Sequence, residues 1–130
     1  ATNMRFIWGT SATTDGSAGD GTQRILVEIT WDEAVTVAGS PQIVIDNGNQ
    51  SGGGYGDHTL TYTATGSTAN RKRFTLASQT IAASDILTIG GANIVLASSS
   101  TISDTVRGGT AQAASLVLSG LTAVTHTVLA

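Results

Sequence analysis

From Ile25 the apolar residues Ile25, Val27, Ile29 and Trp31 occupy alternate positions, and Arg24, Glu28 and Thr30 fall between them. A period of two is that of a β-strand with one buried face, so this stretch predicts a core strand with Trp31 pointing inward. Asp32-Glu33 breaks the run at a corner, Ala34-Val-Thr-Val restarts it, and Gly39-Ser-Pro turns the chain. Ile43-Val-Ile then leads to a further turn at Asp46-Asn-Gly.

The pattern repeats along the chain. His58-Thr-Leu-Thr-Tyr-Thr-Ala-Thr alternates so that Leu60, Tyr62 and Ala64 share an inward face while Thr59, Thr61, Thr63 and Thr65 form a polar outer row. Arg71-Lys-Arg-Phe-Thr-Leu, Ile86-Leu-Thr-Ile and Ile94-Val-Leu read as short strands, with Ser98 to Asp104 as a polar connection. Leu116, Leu118 and Leu121 mark another strand, and Thr125-His-Thr-Val-Leu a last one. About eight or nine short, mostly antiparallel strands separated by turns predict an all-β immunoglobulin-like β-sandwich.

At the N-terminus, Met4 to Trp8 has the bulk of a strand, but Phe6, Ile7 and Trp8 are consecutive and cannot share one face. The surplus face has two candidate covers, a second sheet of the same domain or a neighbouring molecule. Phe6, Ile7 and Trp8 are therefore candidate partner contacts. Tyr55, on the projecting Gly-rich tip Asn49 to Asp57, is a further candidate contact, with a residue folded back on the sheet as the other reading. Arg71, Lys72 and Arg73 are the chain's only concentration of positive charge. They are candidates to meet a carboxylate patch, but charge on a short strand more often protects an exposed sheet edge from unwanted pairing, and the edge reading is the expectation.

Composition narrows the function. Hydrophobic residues make up 40% of the 130, enough to offset the 16 glycines and to support an ordered core in one domain. That domain spans 1–130, with an N-terminal strand and polar loop at 1–22, the sandwich core at 23–121 and a closing strand or tail at 122–130. The absence of Cys removes disulfides, thiolate metal sites and cysteine nucleophiles. Six Lys and Arg against a net charge of −3 give no footprint for nucleic acid or an anionic membrane, and no apolar stretch is long enough for a helical span.

Catalysis needs a nucleophile with its base, or two carboxylates facing one cleft. His58 and His126 lie in no nucleophile-elbow or metal-ligand spacing and read as sheet or surface residues. Asp32 and Glu33 are adjacent, point to opposite faces if extended, and read as caps of the corner. Asp15 and Asp20 lack the spacing of a calcium loop and read as solvated. The expectation is a non-enzymatic structural domain without metal or cofactor.

With these pieces in order, the chain resembles the bacterial immunoglobulin-like repeats found in tandem in very large surface and biofilm-associated proteins, and as modules of phage virion proteins. The resemblance is carried by Val27-Glu-Ile-Thr-Trp-Asp-Glu-Ala-Val-Thr-Val-Ala-Gly-Ser-Pro-Gln-Ile-Val-Ile-Asp, His58-Thr-Leu-Thr-Tyr-Thr, Thr101-Ile-Ser-Asp and Ala113-Ala-Ser-Leu-Val-Leu. It covers most of the chain after Gln23 and implies a spacer or scaffold. The family usually runs in tandem, whereas one unit is read here. The expectation is therefore a virion component that decorates or cements a capsid, its partners the shell protein or neighbouring subunits. The alternative is an adhesin module on a bacterial surface, bound to a surface glycan or protein.

Overall fold

A computed structural model describes residues 2–7, 23–48, 57–79, 85–90, 94–105, 111–113, 121 and 124–127. Trp8, Asp15, Asp20, Tyr55, Leu116 and Leu118 lie outside the described residues. Among the described residues ten strands are present: β1 Asn3–Phe6, β2 Gln23–Thr30, β3 Val35–Ala38, β4 Gln42–Asn47, β5 His58–Thr63, β6 Arg71–Gln79, β7 Ile86–Ile89, β8 Thr101–Thr105, β9 Ala111–Ala113 and β10 Val124–Thr127. Every pairing is antiparallel. Seven strands form one sheet in the order β1-β2-β6-β5-β4-β7-β10, and β3-β8-β9 form a second. The all-β sandwich expected from the alternation is the fold observed.

The corner after β2 carries the chain from the large sheet to the small one. Trp31 is buried at this point, as the period of two predicts, and its backbone N–H donates to the Asn70 carbonyl at 2.9 Å. The Asn70 side-chain amide returns a bond to the Trp31 carbonyl at 3.1 Å, and the Val35 N–H donates to the Ala69 carbonyl at 2.9 Å. The corner's backbone is thus held by the turn before β6, while Asp32 and Glu33 lie exposed.

One apolar cluster joins both sheets. Ile25, Val27 and Ile29 of β2, Ile43 and Ile45 of β4, Leu60 of β5, Phe74 of β6 and Leu87 and Ile89 of β7 meet Val35 of β3 and Ile102 of β8. Each fully buried side chain contributes roughly 1.5–3 kcal/mol relative to exposure. The other face of β2 is also partly withdrawn from solvent: Leu26 and Glu28 are buried, Glu28 between the side chains of Arg5 and Arg73, so the single buried row expected from the sequence is corrected.

Four other expectations change. The segment from Ser98 to Asp104 is not merely a connection, since β8 occupies Thr101–Thr105 and pairs with β3; Ile102, 1% exposed, is its anchor and the Ser and Thr residues suit the pleat. Ile94 to Leu96 forms only an isolated bridge from Val95 to Gln42, followed by a 3-10 turn at Ala97–Ser99. Ala64 belongs to the turn after β5 and is exposed. The basic run 71–73 does not protect an edge, for β6 lies between β2 and β5 with both of its edges paired.

The large sheet curls far enough to bring its end strands together. The rings of Phe6 on β1 and His126 on β10 are 6.1 Å apart and inclined at 56°. Met4 on β1 is buried in the core, and Phe6 is half-buried against it. Of the two covers considered for the N-terminal strand, the domain's own core takes up these two side chains.

Candidate functional site

In an antiparallel sheet, residues directly opposite one another project from the same face. The register sets Arg5 of β1 opposite Glu28 of β2, and Glu28 opposite Arg73 of β6. Arg5 donates from Nε to Glu28 Oε1 at 3.0 Å and from Nη2 to the same oxygen at 2.9 Å, while Arg73 Nε donates to Oε2 at 3.4 Å. The Glu28 side chain is 5% exposed, against 53% for Arg5 and 27% for Arg73. A buried carboxylate therefore holds two arginines that reach toward water, one on each oxygen.

One step along the same face the register repeats as Asn3, Thr30 and Arg71. These three residues, with Arg5 and Glu28, line a shallow cavity of about 200 Å³ on the outer face of the large sheet. Arg71 is exposed, and its guanidinium makes no hydrogen bond or ion pair among the described residues. With Arg73 on the far oxygen of Glu28, three guanidiniums meet one carboxylate at and beside the cleft, an excess of positive charge on a chain whose net charge is −3.

The hairpin between β5 and β6 sets these arginines in place. Ser67 Oγ donates to the Thr63 carbonyl at 2.7 Å and accepts the Arg73 N–H at 2.9 Å, and the Thr68 N–H donates to the Arg71 carbonyl at 2.7 Å. Gly66 takes φ +76°, and a Cβ there would stand 2.5 Å from Arg73 Nη1, so the guanidinium lies across a bare turn.

Lys72, between the two arginines, points to the opposite face. It is buried and donates from Nζ to the Thr68 carbonyl at 2.7 Å, and burial pushes its pKa below the ordinary lysine value. Of the residues proposed from sequence as partner contacts, the structure therefore brings Arg71 and Arg73 to one outer face and turns Lys72 and Phe6 inward. Ile7 is half-buried after β1, its N–H on the Leu26 carbonyl at 2.8 Å. Asn3, Arg5, Glu28 and Thr30 were not singled out in the sequence. A charged residue inside Ile25-Leu-Val-Glu-Ile was the available signal, but its partners are set by pairing across 23 and 45 residues.

A second polar cluster lies where β4, β5 and β7 meet. Asp57 Oδ1 accepts the Asn47 N–H at 2.9 Å, and His58 is 3% exposed with no hydrogen-bond partner for Nε2. Burial pushes the His58 pKa down, against the opposing pull of Asp85 and then Asp57. His58 is thus a sheet residue, as its position suggested. Among the described residues no group of three or more His, Asp or Glu is placed to hold a metal ion, and no helix is long and apolar enough to cross a membrane.

Comparison with family models, with curated proteins and with solved structures finds no match to this chain.

Proposed function

We propose that the chain is a non-enzymatic interaction domain that docks on a larger assembly through the outer face of β1, β2 and β6, and that this assembly is a virion shell, which the domain decorates. The observation that carries the docking reading is the row Arg5, Glu28 and Arg73 beside the unengaged Arg71. Its groups stand on paired strands rather than on loops, and Glu28 fixes Arg5 and Arg73 before any partner arrives. Interfaces gain affinity when their groups are held in place beforehand, because less freedom is lost on binding. Arginine is also the cation best suited to planar, forked contacts at such surfaces. The choice of a virion rests on the resemblance to repeats that occur as modules of virion proteins.

Quantitative mass spectrometry on virions purified from the source culture tests the reading. A fixed copy number relative to the shell protein is expected. Absence from particles overturns it, and recovery in the cell-surface fraction instead favours the adhesin module.

A further inference from the structure

Resting on the docking reading, we infer that the cleft between Asn3, Arg5, Thr30 and Arg71 is a receptor for a single carboxylate presented by an acidic segment of a partner protein. Three observations lead there. First, Arg5 and Arg71 line the cleft and Arg73 already engages the far oxygen of Glu28, so the site carries excess positive charge that an incoming anion neutralises. Second, about 200 Å³ is smaller than the roughly 300–1,000 Å³ of sites that enclose a whole small molecule, and suits one side chain entering from a larger body. Third, among the described residues the cleft walls carry no aromatic ring for an acidic sugar to stack on, whereas their amide, hydroxyl and guanidinium donors match a carboxylate.

The roles divide by geometry. Arg71 is the free fork, able to take both oxygens of an incoming carboxylate. Glu28 engages Nε and Nη2 of Arg5, leaving Nη1 as that residue's remaining donor group. Asn3 and Thr30 supply neutral polar groups between the arginines, opposite one another in the β1–β2 register. Glu28 acts here as a positioning residue and not as a contact.

The full chain, titrated with poly-L-glutamate and followed through its arginine Nε–H NMR signals, tests the assignment. Arg71 and Arg5 are expected to shift, and Arg71→Gln is expected to weaken binding at least tenfold. Thr36→Glu, the same change of net charge at an exposed position of β3 on the small sheet, should weaken it less than threefold. Asn3→Asp, which sets a carboxylate in the cleft from an exposed position, should abolish the Arg71 shift with the fold intact. Equal binding by Arg71→Gln and the parent overturns the site. Tighter binding of polygalacturonate than of poly-L-glutamate overturns the protein partner, and tighter binding of inorganic phosphate overturns the choice of a carboxylate. If the domain is found on particles yet poly-L-glutamate moves neither arginine, this inference falls and the docking reading stands.

Discussion

Phe6 and His126 lie 120 positions apart in sequence, yet their rings are 6.1 Å apart and join the first strand of the large sheet to its last. The contact brings the two end strands of the sheet side by side, although no backbone pairing joins β1 to β10 among the described residues. The N-terminal strand is therefore part of the domain's own architecture, with Met4 in the core and Asn3 and Arg5 on the outer face.

Shortening the two apolar side chains of β1 should accordingly destabilise the isolated chain. Met4→Ala is expected to cost about 2–4 kcal/mol, and Phe6→Ala, at a half-buried site, about 1–2 kcal/mol. Urea melting of the purified protein checks both. Unchanged midpoints would mean that β1 is held by a partner and not by the domain.

Glu28 supports a second prediction, through non-additivity. Arg5→Ala or Arg73→Ala alone leaves the buried carboxylate with one arginine and should cost about 1 kcal/mol each. The double variant leaves it with neither and should cost about 3–5 kcal/mol, the penalty of an uncompensated buried charge. A double-mutant cycle in urea reads the coupling; simple additivity would show that the carboxylate is solvated at no cost.

Two glycines with positive φ should respond differently to the same substitution. At Gly66 an added methyl meets the flexible end of Arg73, whereas at Gly39 it meets Ser100 Cβ at 2.8 Å and Ser100 Cα at 2.9 Å. Both pay the left-handed backbone cost of about 1–2 kcal/mol, but only Gly66 can be relieved by moving a side-chain tip. Gly39→Ala should therefore lower the melting temperature more than Gly66→Ala, and the reverse order would contradict the packing of Gly39 on Ser100.

The buried His58 gives a pH dependence. Its folded pKa lies below the ordinary value of 6.5, so between the two values the unfolded chain binds more protons than the folded one. Stability then rises with pH through that window and is lost as pH falls from about 6.5 toward the depressed folded value. His58→Gln should flatten this part of the profile in melts taken across mildly acidic pH. An unaltered slope would place the titration elsewhere.

How far the sequence reaches is clearest at β2. Alternation fixed Ile25, Val27, Ile29 and Trp31 as inward residues and with them the fold class, because a period of two records one local property, the side of the pleat on which each residue stands. The same logic placed His58 and Leu60 in β5 and predicted a short strand around Val35 to Val37. It failed at β8, where a single Ile102 among Ser and Thr carries too little apolar signal to separate a strand from a connection.

Local pattern gave no access to pairing. That the basic run lies in an interior strand, that Lys72 turns inward while Arg71 and Arg73 turn out, and that Glu28 stands between Arg5 and Arg73 all depend on which strands become neighbours and in what register. Those choices are made by contacts between residues far apart in sequence, whose energies arise only once the sheets have packed. The sequence by itself determined an all-β domain with a known inward set; the tertiary structure decided that three arginines, one buried carboxylate and a shallow cleft share a face, because only strand order brings side chains of β1, β2 and β6 within hydrogen-bonding reach.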